Sequence, residues 1–450
     1  MNRTTQSTYG WASPQHKRSV LWIVSLATLA IIFDGYDLVV YGTVLPTLMA
    51  DPTQIGELSA QQAGALGSYA LVGVLVGALV TGALGDRLGR RRMMLVNIVW
   101  FSVGMGAAAF ATSIPMFGAL RFFTGIGVGG LVATAGAVVA EFAPAGRRNL
   151  FNAIVYSGVP AGGVLASLLA MALRDVIGWR GLFLIGALPL VILLPLALVK
   201  LPESPAWLIS RGRVDEARGV CSRYGFPVPD TTPPAPTEKV GFAALASRRY
   251  ATGTALLGMM SFAGLLLTYG LNTWLPKIMA DAGYDADGSL AFLLVLNGGA
   301  IVGGLIASRI ADGRGPQSVI VTTFFLAAVA LVLLTFGFPL PVLLTAVAIA
   351  GVGTIGTQVL VYGFVSNYYD TPARAAGVAW CAGFGRLGGI VGPIIGGVLI
   401  GAGFANNVNF YIFAGIALAG GVVTSFVRAP KTTVTAIDVP RPAPATTVDV

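Results

Sequence analysis

Long apolar runs alternate with short polar breaks along almost the whole chain. At roughly 20 residues per membrane-crossing helix, the runs predict twelve helices. They fall near residues 20–46, 62–84, 93–112, 115–140, 150–173, 179–199, 251–276, 288–310, 318–337, 340–364, 374–400 and 406–428. The longest polar break, 200–250, divides them into two six-helix halves, 20–199 and 251–428. The pattern therefore predicts an all-α integral membrane protein. Residues 1–19 are polar and lack the apolar core and small-residue cleavage site of a signal peptide. Within the central break, Glu203-Ser204-Pro205-Ala206-Trp207-Leu208 reads as a helix entry at the membrane surface, and Val214 to Tyr224 as a short amphipathic helix. Asp230 to Thr237 reads as a Pro/Thr linker, and 429–450 as a disordered tail.

Composition narrows the class. Apolar residues make up 55% of the 450, and charged residues 10%, against about 25% charged in an ordinary soluble domain. Mean hydropathy is +0.80. A soluble enzyme and a disordered chain are excluded as the main reading. The net charge of +9 is not gathered into the basic face that a nucleic-acid binder needs. It sits in alternate breaks instead. One set of breaks holds Lys17, Arg18, Arg87, Arg90, Arg91, Arg92, Arg147, Arg148, Arg309, Arg314, Arg374, Arg428 and Lys431. The other holds Asp51, Glu57, Asp175, Asp281, Asp285 and Asp287, with only Arg174, Arg180 and Lys277 as basic members. The positive-inside rule then makes the first set cytoplasmic, together with both termini. Cys221 lies in a polar segment and Cys381 in an apolar run, so no disulfide is expected.

An internal repeat supports two halves. Moved along by 226 positions, Asp86 falls on Asp312, Gly89 on Gly315, Arg148 on Arg374, and Gly162-Gly163 on Gly388-Gly389. Parallel six-helix repeats of this kind resemble the architecture of the major facilitator superfamily. The break Gly85-Asp86-Arg87-Leu88-Gly89-Arg90-Arg91 resembles that superfamily's loop signature. Its aspartate can accept from a helix N-terminus in the other half, and its arginines can pair with Glu141. Such contacts form on one side of the membrane only, which makes Gly85, Asp86, Arg87, Arg90, Glu141, Arg148 and Asp312 candidate gating residues. The plainer alternative is a positive-inside anchor. In the second copy, Asp312-Gly313-Arg314-Gly315-Pro316, most of the arginines are lost.

Asp34-Gly35-Tyr36-Asp37 lies inside the first span. A charge at a helix centre costs about 2.5–3.5 kcal/mol on insertion scales, so two need a reason. Their i,i+3 spacing puts both carboxylates on one face, where mutual repulsion in low dielectric favours taking up a proton. That suits proton coupling; the alternative is a structural pair neutralised by an arginine. Arg121 in span four is the candidate neighbour: it lies toward the outer end of its span, and a pair with Asp34 is geometrically allowed. Arg386 lies about 18 Å from Arg374 along span eleven, near the midplane, with no acid evident in its own span. Its planar fork matches a carboxylate, so an organic anion can supply the partner; the alternative is pairing with Asp34 or Asp37. Tyr36, Tyr269, Trp274, Trp380 and Phe384 are aromatic residues near the expected cavity, and Asn272, Asn297 and Gln358 are candidate readers of ring substituents. The only histidine, His16, is in the N-terminal tail. No metal site or cofactor is expected.

Together these motifs resemble the aromatic acid:proton symporter family of the major facilitator superfamily, over about residues 20–428. The resemblance rests on Asp34-Gly35-Tyr36-Asp37, the Asp86 loop, Arg121 with its glycines, Pro202-Glu203-Ser204-Pro205, Trp274-Leu275-Pro276, and Arg374-Ala375-Ala376-Gly377 through Gly385-Arg386 to Gly392-Pro393. It implies proton-coupled import of a benzoate, hydroxybenzoate, protocatechuate or gentisate type of anion. Asp34 and Asp37 would carry the proton; Arg386, Arg121, Tyr36, Trp380, Phe384, Asn272 and Gln358 would line the substrate site. It also implies a monomer in a bacterial inner membrane, with no nucleic-acid partner. Rival readings are a carrier of another anion such as shikimate, an exporter of hydrophobic compounds, or a membrane sensor. An enzyme is not expected, because no nucleophile–base set stands out.

Overall fold

Caps and breakers in the sequence decide where each helix starts and stops. In the computed structural model, which describes residues 13–144, 148–226, 228 and 245–428, α1 (Pro14–Ala50) starts where the Ser13 hydroxyl accepts from His16 N at 3.1 Å, with Pro14 in the first turn. The side chains of residues 86, 148, 149, 371, 372, 375 and 406 also lie outside the described set. α2 (Ala60–Leu88) opens on a capping box of Ser59 and Gln62. Gly89, at φ +94°, is the whole break before α3 (Arg90–Ala108). α4 (Ile114–Phe142), α5 (Arg148–Tyr156), α6 (Gly158–Ile185) and α7 (Leu193–Lys200) follow. α6 is two helices meeting at Gly178, φ +64°. The fifth span ends there, and the sixth continues through a 3₁₀ turn, Leu188–Leu190, into α7. Pro189 explains that interruption.

The described part of the central break holds α8 (Pro205–Ser210), capped by Ser204, and α9 (Val214–Tyr224). The expected 230–237 linker and 429–450 tail lie outside the described residues. The second half contains α10 (Ala251–Asp281), α11 (Ala286–Arg314), α12 (Pro316–Leu333), α13 (Leu340–Gly351), α14 (Thr357–Tyr368), α15 (Thr371–Gly401) and α16 (Asn406–Ser425). α13 and α14 form one span through a π-helical turn, Val352–Gly356. No strand occurs among the described residues. Ten described segments are long and apolar enough to cross a membrane. α3, whose first turn is Arg90-Arg91-Arg92, and the interrupted sixth span bring the spans to twelve.

The repeat is visible in the backbone. Gly315, at φ +84°, closes α11 as Gly89 closes α2. Gly162 lies against the Ile32 carbonyl of α1, and Gly388 against the Phe262 carbonyl of α10, so the matched glycines seat equivalent helices. Gly73 and Gly77 of α2 face the Phe122 and Ile126 carbonyls of α4; in return Gly125 and Gly129 face the Ala70 and Val74 carbonyls. A Cβ at any of these four would strike backbone. Without a hydrophobic drive between helices in lipid, such close approach is what holds them together.

With an even number of spans, the first and last described residues, Ser13 and Arg428, lie on one face of the bundle, called the terminal face; the other is the far face. Contacts between the halves gather toward the far face. Ser68 Oγ donates to the Ile390 carbonyl at 2.6 Å, Arg174 pairs with Asp287 at 2.9 Å, and Gly42 abuts the Asn272 carbonyl. Toward the terminal face, Gly82 of α2 and Gly363 of α14 are exposed, with nothing within 4 Å of a Cβ. Among the described residues, the contacts between the halves are thus concentrated at the far face, with open space beside Gly82 and Gly363 toward the terminal face.

Candidate functional site

α1 carries both acids to the interior: Asp34 is 5% exposed and Asp37 3%. Arg121 of α4, also 3% exposed, closes on Asp37 in a buried ion pair. Its guanidinium also lies over the rings of Tyr41 at 5.2 Å and Phe183 at 5.9 Å. This corrects the expected level of the pair, in which Asp34 was the partner. α1 extends to Ala50, four residues beyond its predicted end, so Asp37 is the residue brought level with Arg121. Asp34, one turn away, makes no ion pair or hydrogen bond among the described residues. Its electrostatic neighbours are Asp37 and Arg386.

Arg386 of α15 is half-buried, and its Nη1 donates to the Val74 carbonyl of α2 at 3.0 Å. The alternative ion pair with Asp34 or Asp37 is absent, although Asp34 is within electrostatic reach. Tyr269 of α10 has both Asp34 and Arg386 as electrostatic neighbours, and so does Tyr156 of α5; Tyr362 of α14 has Arg386. Five helices from both halves thus converge on one cation, one unpaired carboxylate and three phenols. The sequence reading missed Tyr156 and Tyr362. A tyrosine in an apolar run carries no signal that separates cavity from packing.

The other candidates divide. Tyr36 is fully buried and donates to the Leu182 carbonyl at 2.6 Å, so it ties α1 to the sixth span. Asn297 Nδ2 donates to Asn272 Oδ1 at 2.9 Å, and Asn272 Nδ2 to the Thr268 carbonyl at 2.7 Å. Those amides are spent on joining α10 and α11. Trp380 stacks on Phe384 (5.3 Å between centroids) and donates to the Thr254 carbonyl at 3.1 Å; Phe384 also meets Phe262. Both rings hold α15 to α10 beside Arg386. Gln358 is buried beside Gly264, and neither of its amide atoms has a hydrogen-bond partner among the described residues.

At the terminal face, Arg90 Nε pairs with Glu141 at 3.1 Å. The N-terminus of α3 is capped by Glu203, whose Oε1 accepts from Arg91 N at 3.0 Å and from Ser204 N at 3.1 Å. Arg91 Nη2 donates to the Leu198 carbonyl at 2.7 Å. Glu203 was not anticipated as the partner of this loop. Gly85 accepts from Gly89 N at 3.1 Å through its carbonyl; Arg87 and Asp312 are exposed. Asp86 lies in α2 and Arg148 in α5, with side chains outside the described set.

Twelve spans in two repeated halves, with buried charges at their interface, define a membrane carrier. The Major Facilitator Superfamily profile matches residues 27–380 and 288–448, and the chain belongs to that superfamily. It is 33% identical over 423 residues to the benzoate transport protein of Acinetobacter baylyi, covering 90% of this chain and 88% of that one. It is 35% identical over 406 residues to the gentisate transporter of Corynebacterium glutamicum, covering 89% and 86%. The gallate transporter of Pseudomonas putida is 31% identical over 413 residues, covering 89% and 90%. Among solved structures, a D-xylose–proton symporter superposes with a TM-score of 0.71 at 19% identity, over 92% of this chain and 99% of that one. The chain is a multi-pass membrane protein of a transporter family.

Proposed function

We propose that this protein is a proton-coupled symporter that imports an aromatic carboxylate by alternating access. The observation that carries the reading is the convergence of Arg386 and the unpaired Asp34 between the two halves. A guanidinium in low dielectric favours a planar carboxylate as partner. Arg386 supplies the fork, and its bond to the Val74 carbonyl is exchanged for the substrate. The coupling follows from charge. With Asp34 ionised, Arg386 is already balanced and an entering anion adds an uncompensated buried charge, which is costly. A proton on Asp34 removes that cost, so anion and proton enter together. Asp37, neutralised by Arg121, holds the N-terminal half in register and is the second acid of the relay.

The likeness to benzoate, gentisate and gallate transporters supports a benzoate-type or hydroxybenzoate-type substrate. The face open to solvent is then the cytoplasmic one. It carries both termini, the Arg90–Glu141 pair and Glu203, whose contacts fix the α2–α3 break of the N-terminal half against which the other half rocks. The surrounding bilayer is a bacterial inner membrane, and one chain encloses the whole pathway, so a monomer suffices. The test is uptake of labelled benzoate, 4-hydroxybenzoate and gentisate in a host without its own carriers. Accumulation that collapses with a proton uncoupler is expected; accumulation indifferent to the uncoupler overturns symport.

A further inference from the structure

A groove of about 540 Å³ opens where Val164 of the first half meets two helices of the second. Its walls are Val164 of α6, Leu294, Gly298 and Val302 of α11, and Ala348 and Ile349 of α13. Two of the glycines in it have a packing reason: Gly299 abuts the Ala348 backbone, and Gly303 abuts Val352. Gly298 has none. A Cβ there meets nothing within 4 Å, yet glycine weakens a helix interior. What the missing side chain keeps open is the groove itself.

On the terminal side, the α11 stripe that lines the groove continues through Val302 and Ile306 to Arg309, at helical spacing. Arg309 is exposed and makes no ion pair or hydrogen bond among the described residues. Arg314, also exposed, lies near it, and together they outweigh the one carboxylate of Asp312. At 1.5 Å per residue, Arg309 stands about 10 Å from Val302 and about 22 Å from Leu294. One leaflet of hydrocarbon is about 15 Å deep. A headgroup at Arg309 therefore places the distal part of its acyl chain in the groove.

We infer that this seam binds an anionic phospholipid from the leaflet on the terminal side, with its phosphate at Arg309 and one acyl chain over Gly298. The lipid touches α6 of one half and α11 and α13 of the other, so it bears on a surface that changes as the halves rock. This inference rests on the fold and the groove, and stands apart from the choice of substrate.

The test is native mass spectrometry of full-length protein released from micelles doped with phosphatidylglycerol or with phosphatidylcholine, paired with thermal unfolding in the same micelles. Wild type is expected to retain phosphatidylglycerol in preference and to unfold at a higher temperature with it. Arg309→Gln should lose the preference for the anionic lipid, and Gly298→Leu, which puts a side chain into the groove from a position whose Cβ meets nothing within 4 Å, should lose retention of both. Equal retention of the two lipids by wild type, or wild-type retention by both variants, overturns the inference.

Discussion

Arg386 on α15 donates to the backbone carbonyl of Val74 on α2 at 3.0 Å, and so joins the two halves through a bond that a carboxylate can replace. The same Val74 carbonyl receives Gly129 of α4 at close range. The guanidinium therefore rests on the most tightly packed helix pair of the N-terminal half. An anion that draws it away releases one of the contacts that hold the halves in their present relation.

Replacing Arg386 by lysine keeps the charge and removes the fork. A charge-assisted hydrogen bond contributes about 1.5–3 kcal/mol. Substrate affinity should fall by about 10- to 150-fold, read from competition against labelled 4-hydroxybenzoate in membrane vesicles. Unchanged affinity removes Arg386 from the site.

Asp37→Asn leaves Arg121 buried without its counter-ion. Breaking one partner of a buried pair costs about 3–5 kcal/mol. The variant should unfold well below wild type in detergent, and the double change Asp37→Asn with Arg121→Gln should recover part of the loss. Asp34→Asn, which breaks no ion pair, should unfold close to wild type. A large destabilisation by Asp34→Asn alone contradicts the division of roles between the two acids.

Gly77→Val drives a side chain into the Ile126 carbonyl of α4, whereas Gly82→Ala meets open space on the same helix. Overpacking costs about 1–3 kcal/mol. A lower thermal midpoint is expected for the first and not for the second. Equal behaviour would show that the glycine face does not hold α2 to α4.

Glu203→Ala removes the acceptor at the start of α3. The expected loss is about 1 kcal/mol, typical of a helix cap, measured as a drop in thermal midpoint. Glu203→Gln should retain most of the stability, because its amide oxygen still accepts.

Run lengths and charge alternation made the twelve spans legible, because hydrocarbon demands long apolar helices and the breaks carry topology. The offset that matched Gly89 to Gly315 was legible because both positions need positive φ. The interruption at Leu188–Leu190 and the π turn at Val352–Gly356 were not, since both lie inside apolar runs whose hydropathy does not change. At the site, Asp34, Asp37, Arg121 and Arg386 stood out because buried charge is costly. Which acid meets Arg121 depended on four residues of helix length. The Val74 carbonyl could not be read at all, because every residue carries one. Tyr36 and Asn272 were chosen for their chemistry, but their hydrogen bonds are spent within one half.

The most direct test is proton entry driven by substrate. Purified protein in vesicles with an interior pH dye receives gentisate on one side, and the signal is corrected for protein-free vesicles. Wild type should acidify the lumen as gentisate enters, and Asp34→Asn should bind gentisate and exchange it without moving protons. Acidification by Asp34→Asn at the wild-type rate would contradict the assignment of the coupled proton to that carboxylate.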